Sequence, residues 1–284
     1  MSKPFDVEVN NSIAHIRFNR PEKRNSMNED FWRLFPKEVE ELDDSGEIRA
    51  LVISSTGPHF SSGIDLNMFK DDVVEEQSEN ELGRSRGYFI QQLKYLQNVA
   101  NCLEAARFPV VAAIQGGCIG GGIDLITAAD IRLCTKDAFF IIEEINVGLA
   151  ADIGTLQRLP KIIPAGIARE WAMMGEKVSA DRAKEVGLVS SLYDNQEGML
   201  ESAFEIAEKL ASKTPLAMWV TKEVLNYSRD HSVKEGLDNV NLWNAATLHK
   251  EDVMTTMMSK MQKKKPEYKN LRDKNFLKHK STKK

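Results

Sequence analysis

The sequence predicts an α/β fold with parallel strands, and three observations predict it. Short apolar runs such as Val110–Ile114 and Ile131–Cys134 recur, each the length of a buried strand. Segments with helix-spaced apolar residues lie between them, joined by glycine-bearing loops. Strands alternating with helices in this way favour parallel pairing, because parallel neighbours need a crossover connection.

The elements follow in order. Phe5–Val9 and Ile13–Phe18 alternate apolar and polar residues around Asn10-Asn11-Ser12, the pattern of a β-hairpin. The loop NRPEKRNSM comes next, and then Asn28–Leu42 carries helix-spaced apolar residues that Pro36 is expected to interrupt. Arg49–Ser54 reads as a short strand and Thr56–Asp65 as a Gly/Ser-rich loop. Lys70–Arg86 is strongly polar and is expected to be mobile. Tyr88–Ala106 reads as an amphipathic helix ended before Pro109. Val110–Ile114 is a strand, followed by the glycine loop, the apolar helix Ile123–Ala129 and the strands Ile131–Cys134 and Ala138–Ile142. Beyond Asp152 helix dominates, with Pro215 in the first turn of Leu216–Tyr227 and no strand expected past Ser191. Residues 1–200 therefore read as the α/β core, and residues 201–284 as a helical region with a basic tail.

Composition narrows the class. A chain of 284 residues with 42% hydrophobic and 28% charged residues can bury a full core. No apolar run approaches the roughly 18 residues that span a bilayer, so no membrane partner is expected. The start, MSKPFDVEVNN, lacks a hydrophobic signal core and is not an Arg-rich presequence, and the closing Thr-Lys-Lys is not a peroxisomal address. A soluble intracellular protein is expected, cytoplasmic first, with mitochondria or peroxisomes as alternatives. The three cysteines lack metal-ligand spacing and suit reduced thiols, and the five histidines form no metal motif, so no metal is expected. Net charge is −4, yet the chain holds KKK at 263–265 and ends in KHKSTKK. That tail reads as a solvated terminus, with an anionic ligand or RNA as the alternative.

The chemistry concentrates in residues 116–152, GGCIGGGIDLITAADIRLCTKDAFFIIEEINVGLAAD. Glycines let backbone N–H groups approach a ligand, and helix N-termini favour negative oxygen. The run Gly120-Gly121-Gly122 fits such a site, or else close strand–helix packing. It fails the G-x-G-x-x-G dinucleotide spacing and lacks the lysine of a P-loop. The loop Phe60–Leu66 follows a strand and can supply a second backbone donor, or be a plain turn. Asp124, Glu144 and Asp152 stand in apolar context, where carboxylates are costly unless partnered or functional. Each has a structural alternative: Asp124 in the first turn of its helix, Glu144 as a strand-end carboxylate in water, Asp152 as an N-cap. Asp130 reads as tying the helix–strand junction, and Glu143 should point away from Glu144 if that segment is extended.

At these loops the sequence resembles the crotonase, or enoyl-CoA hydratase/isomerase, superfamily. NRPEKRNSM, FSSGIDL, GGCIGGGIDLITAADIR and EEINVGLAADIGTLQRLPKIIP carry the resemblance in collinear order, over roughly residues 5–230. It implies a spiral of ββα turns followed by helices that build a homotrimer or homohexamer. It implies an acyl-CoA thioester substrate, CoA being part of the substrate and no separate cofactor required. It also implies an oxyanion hole made by the N–H groups of Ile64 and Gly121, with Ser62, Gly63, Ile64, Asp65, Leu66 and Gly121 along the CoA path. Arg24 and the tail lysines are candidates for the CoA phosphates, and residues 70–86 with helix 88–106 are expected beside the acyl chain, Phe89 and Leu93 either facing it or lying in the core.

Hydratases of that superfamily place glutamates at the positions of Asp124 and Glu144 and glycine at that of Asp152. The triple Asp124, Glu144, Asp152 instead resembles the branch that isomerises 3,5-dienoyl-CoA to 2,4-dienoyl-CoA in fatty-acid β-oxidation. That reaction removes a proton from C2 and adds one at C6, carbons roughly 5 Å apart by ordinary bond lengths. Two carboxylates at opposite ends of the diene can serve those carbons: Asp152 is expected as base and Glu144 as acid, the order of the two roles being open, with Asp124 tuning the pair or holding water away. An enoyl-CoA hydratase, a Δ3,Δ2-enoyl-CoA isomerase and an RNA-binding relative of the fold remain alternatives, although no nucleic-acid partner is expected.

Overall fold

The computed structural model describes residues 3–69 and 81–274. Its main sheet has six strands in the order β1-β2-β3-β4-β6-β9. They are β1 (Phe5–Asn10), β2 (Ile13–Phe18), β3 (Ala50–Ser55), β4 (Val110–Ile114), β6 (Ile131–Thr135) and β9 (Ser191–Tyr193). The β1/β2 hairpin is antiparallel and every later pair is parallel. β3 and β4 are buried at every residue, as expected of central parallel strands covered on both faces. β1 lies at the edge, and its last three residues are exposed.

A smaller sheet of β5 (Gly117–Ile119), β7 (Phe139–Ile141) and β8 (Val178–Ser179) stands beside it in the order β5-β7-β8. This gives the ββα spiral: each turn lays one strand in the large sheet, one near the small sheet and then a helix. The isolated bridges Met27–Ile64 and Ser61–Cys118 continue that second layer through the loops.

One face of the large sheet carries α7 (Gln196–Ala211), which packs Met199, Ala203 and Ala207 on Val52, Val111 and Leu133. α7 spans residue 200, so the sheet's own cover reaches Ala211. The other face buries the larger core with α1 (Glu29–Asp44), α2 (Leu82–Ala105) and α3 (Gly121–Thr127). Phe18, Phe31 and Phe35 pack edge-to-face or stacked there. α4 (Thr155–Ile162), α5 (Ala165–Met174) and α6 (Ala180–Glu185) follow, and then α8 (Pro215–Arg229), α9 (Val233–Thr247) and α10 (Lys250–Gln262). α9 and α10 leave Leu237, Leu242, Val253, Met257 and Met261 exposed, an apolar surface of the kind an oligomer covers.

Several expectations are corrected. Pro36 does not interrupt α1; it lies buried on the core-facing side of a continuous helix capped by the Asn28 side chain. β8 and β9 occur in the region read as helix, too short at two and three residues for periodicity to reveal. Of the segment 70–86, residues 70–80 lie outside the described residues, and α2 begins at Leu82. Phe89 is exposed and Leu93 half-buried, so neither is core. The basic tail past residue 274 also lies outside the described residues. Residues up to Lys274 are folded back on the body: Arg49 donates to the Tyr268 carbonyl at 2.5 Å and to Asn270 Oδ1 at 2.7 Å. Asp130 ties the junction as expected, accepting from Val110 N–H at 2.7 Å and pairing with buried Lys222 at 3.0 Å.

Candidate active site

The site begins where two loops meet. The loop after β3 is pinned by Ser61 Oγ, which donates to the Asn25 carbonyl and accepts from Gly63 N–H at 3.1 Å. Ser62 N–H donates to the Arg24 carbonyl, Asp65 N–H to the Met27 carbonyl, and Met27 N–H to the Gly63 carbonyl. Every neighbour of Ile64 is thus engaged. Among the described residues, neither Ile64 N–H nor Gly121 N–H donates a hydrogen bond. Gly63 has a positive φ of 82°, and a Cβ there would lie 3.3 Å from the Gly121 nitrogen and 2.9 Å from the Ile119 carbonyl oxygen. Only glycine allows this approach, and it brings the two free donors together at the N-terminus of α3.

The implied CoA-path residues are placed as follows. Leu66 is exposed and Ser62 half-buried on this loop, with Arg24 exposed beside it. The Asp65 side chain turns inward instead, accepting from Arg20 at 3.2 Å and from Asn67 Nδ2 at 2.8 Å. These bonds hold its carboxyl below the usual range against the opposing effect of burial. Asp65 therefore acts on the loop that carries Ile64.

The carboxyls lie on the far side of the glycine run. Glu144 starts a 3-10 turn, Glu144–Val147, straight after β7. The segment is not extended, so Glu143 does not follow strand alternation; its carboxylate accepts from Asn146. Glu144 is half-buried rather than in open water, and its Oε2 is buried with no hydrogen-bond partner among the described residues. Its Oε1 would lie 3.3 Å from a Cβ on Gly120, immediately before the Gly121 donor. Burial, and then the charge of Asp124, push the Glu144 carboxyl up to about 7.

Asp124 is fully buried in α3. Its Oδ1 accepts from Thr155 N–H at 2.6 Å and Thr155 Oγ1 at 2.7 Å, while Oδ2 is buried without a partner. Burial pushes its carboxyl up to about 6, the Thr155 bonds opposing. Asp152 is not the N-cap of α4: Gly154, with φ of 134°, occupies that place, and Asp124 satisfies the helix terminus from across the fold. Asp152 is exposed, its carbonyl accepts from Gln97 Nε2 at 2.8 Å, and partial desolvation raises its carboxyl.

Beside Glu144 lies an apolar cleft of about 360 Å³, lined by Ile142, Ile145, Leu149, Leu156, Leu159 and Met173 among others. The turn after Glu144, α4 and α5 build it; Phe89 and Leu93 are not among its lining residues. No sequence pattern marks this cleft, nor Thr155, Gln97 and Arg20. Their signal lay in tertiary proximity alone.

Comparison with known proteins gives concordant results. A family model described as enoyl-CoA hydratase/isomerase matches residues 8–274. The chain is 41% identical over 260 residues to the peroxisomal Delta(3,5)-Delta(2,4)-dienoyl-CoA isomerase of Arabidopsis thaliana, covering 92% of this chain and 94% of that one. It is 42% identical over 253 residues to the mitochondrial enzyme of that name from Rattus norvegicus, covering 89% and 77%. The fold superposes on a crystal structure of an enoyl-CoA hydratase from Bacillus anthracis with a TM-score of 0.82 at 25% identity, covering 94% and 99%.

Proposed function

The chain belongs to the enoyl-CoA hydratase/isomerase family, and within it we propose that it is an isomerase that converts 3,5-dienoyl-CoA to 2,4-dienoyl-CoA. The observation that carries this reading is the pair of unengaged N–H groups beside Glu144, with a second carboxyl in an unlike setting, Asp152, near enough for its charge to act on Glu144. Glu144 is sheltered and driven toward its protonated form, while Asp152 is open to solvent. One is suited to give a proton and the other to take one.

In this reading the thioester oxygen sits between Ile64 N–H and Gly121 N–H. Asp152 takes a proton from C2, and the negative charge passes to that oxygen, where fixed donors lower the barrier. The extended dienolate then accepts a proton at C6 from Glu144. Burial, aided by the charge of Asp124, keeps Glu144 protonated. The CoA moiety runs along Ser62–Leu66 with Arg24 near its phosphates, and the apolar cleft beside Ile145 takes the distal acyl chain. Protons and double bonds only change place, so no cofactor is required. The exposed apolar faces of α9 and α10 suit a homotrimer or homohexamer.

The relatives named above are peroxisomal or mitochondrial, and the role suits either setting and the breakdown of unsaturated fatty acids. Among the described residues no helix is long and apolar enough to cross a membrane. A hydratase reading is weaker, because Thr155 already occupies one Asp124 oxygen, leaving less for the paired grip on a water.

The test is an assay with a 3,5-dienoyl-CoA, following growth of the 2,4-dienoyl chromophore, beside a 2-trans-enoyl-CoA hydration assay. Rapid conjugation with little hydration is expected, and Asp152→Asn and Glu144→Gln should each abolish most of it. Hydration without conjugation, or near-normal isomerisation in both variants, refutes the reading.

A further inference from the structure

The three carboxyls differ in their access to water. Asp124 and Glu144 each keep one oxygen buried without a partner among the described residues. Asp152 instead lines a second cavity, of about 420 Å³, which shares no lining residue with the apolar cleft. Its walls are polar: Gln97 and Asn101 from α2, Gln157 and Arg158 from α4, and Arg229 from the end of α8. Gln97 grips the Asp152 carbonyl at 2.8 Å and so fixes the turn against this cavity.

Arg158 is buried, and its Nη2 donates to Asn101 Oδ1 at 2.6 Å and Glu104 Oε2 at 2.8 Å. Its Nε is buried with no partner among the described residues. A cavity of this size with polar walls is the setting in which proteins hold ordered water.

Resting on the isomerase reading, we propose that this hydrated cavity is the outlet for the abstracted proton. The C2–H bond breaks and the proton goes to Asp152, while its electron pair enters the dienolate. The C6–H bond then forms with the proton of Glu144. The enzyme is left with Asp152 protonated and Glu144 ionised. Asp152 discharges to water in the cavity, and Glu144 takes a proton from solvent once product leaves. No proton passes from Asp152 to Glu144 over bound substrate.

The test uses the intact enzyme and a 3,5-dienoyl-CoA carrying deuterium at C2, in ordinary water, with the position of label in the product read by NMR. The expected product has no deuterium at C6. Filling the cavity with Gln157→Phe, or drying it with Gln157→Leu if the larger side chain impairs folding, should lower kcat several-fold at unchanged KM. The Gln157 side chain is exposed and makes no hydrogen bond among the described residues, so folding, checked by thermal melting, should survive. Deuterium at C6 with the wild-type enzyme overturns the proposal, as does a filled cavity with wild-type kcat. A folded wild-type protein that does not convert the substrate refutes the isomerase reading beneath it.

Discussion

Asp124 and Thr155 are joined by two hydrogen bonds to a single carboxylate oxygen, one from the backbone N–H at 2.6 Å and one from the hydroxyl at 2.7 Å. One oxygen thus caps α4 from another helix, while the other is buried and empty-handed. The group is structural through Oδ1 and electrostatic through its charge, which is felt at Glu144.

Asp124→Asn separates these two roles, since the amide oxygen can still accept from Thr155. Without the negative charge the Glu144 carboxyl falls from about 7 toward its ordinary range. A Glu144 that must be protonated to act is then lost at lower pH. The alkaline limb of the kcat profile should therefore move to lower pH, with KM little changed. A limb that stays in place would show that Asp124 does not tune Glu144.

Gly63→Ala addresses the paired donors. At a φ of 82° the new methyl is strained, and it meets the Ile119 carbonyl at 2.9 Å and the Gly121 nitrogen at 3.3 Å. Relief requires the two loops to part. Loss of one oxyanion donor typically costs about 10²–10³ in rate, and a loss of that order in kcat is expected with a smaller change in KM. A variant with wild-type kcat would remove Ile64 and Gly121 from the mechanism.

These residues also show what the sequence could reveal. The glycine run, the FSSGIDL loop and the three acids were legible because they lie within short motifs. Strands β3 and β4 were legible because strands buried on both faces form unbroken apolar runs. β8 and β9 were not, because a strand of two or three residues has no period and is held by its neighbours. Thr155 lies 31 residues from Asp124, and Gln97 lies 55 from Asp152. Nothing local marks either partner; only the fold brings them together. The water exposure of Asp152 against the shelter of Glu144 was equally invisible, since both follow similar apolar stretches.

Glu144→Gln should make the protein more stable as well as inactive. The native carboxyl is raised from 4.5 to about 7, so the native state holds a proton that the unfolded chain releases between those values. Wild-type stability therefore falls as pH rises through that window, by up to about 3 kcal/mol for this group. Asp124 adds a decline of the same sign, from 3.8 to about 6. Glutamine carries no such penalty. Urea unfolding at pH 5 and pH 8 should show a gap in the wild type that narrows in the variant, in the direction expected when a site is kept at the expense of stability. An unchanged gap would mean that Glu144 is not held protonated.

The segment before the basic tail gives the last prediction. Arg49 holds the Tyr268 carbonyl and Asn270, Lys274 N–H donates to the Asp44 carbonyl at 2.9 Å, and Arg107 donates to the Arg272 carbonyl at 3.1 Å. Gly46, at a φ of 71°, lies directly under the Leu271–Arg272 backbone, where a side chain would overlap it. This strap closes over the end of α1, away from the two loops that carry Ile64 and Gly121. Net hydrogen-bond contributions of about 1 kcal/mol each imply a loss of about 2–4 kcal/mol when the chain is ended at residue 264. Turnover per folded molecule at saturating substrate should be unchanged, because no described residue of the strap reaches the carboxyls or the two donors, and loss of the tail lysines expected near the CoA phosphates bears on KM. Urea unfolding and kcat measured on the same truncated preparation check both halves. An unshifted midpoint would mean that the strap adds nothing to the fold, and a lowered kcat would mean that it supports the site after all.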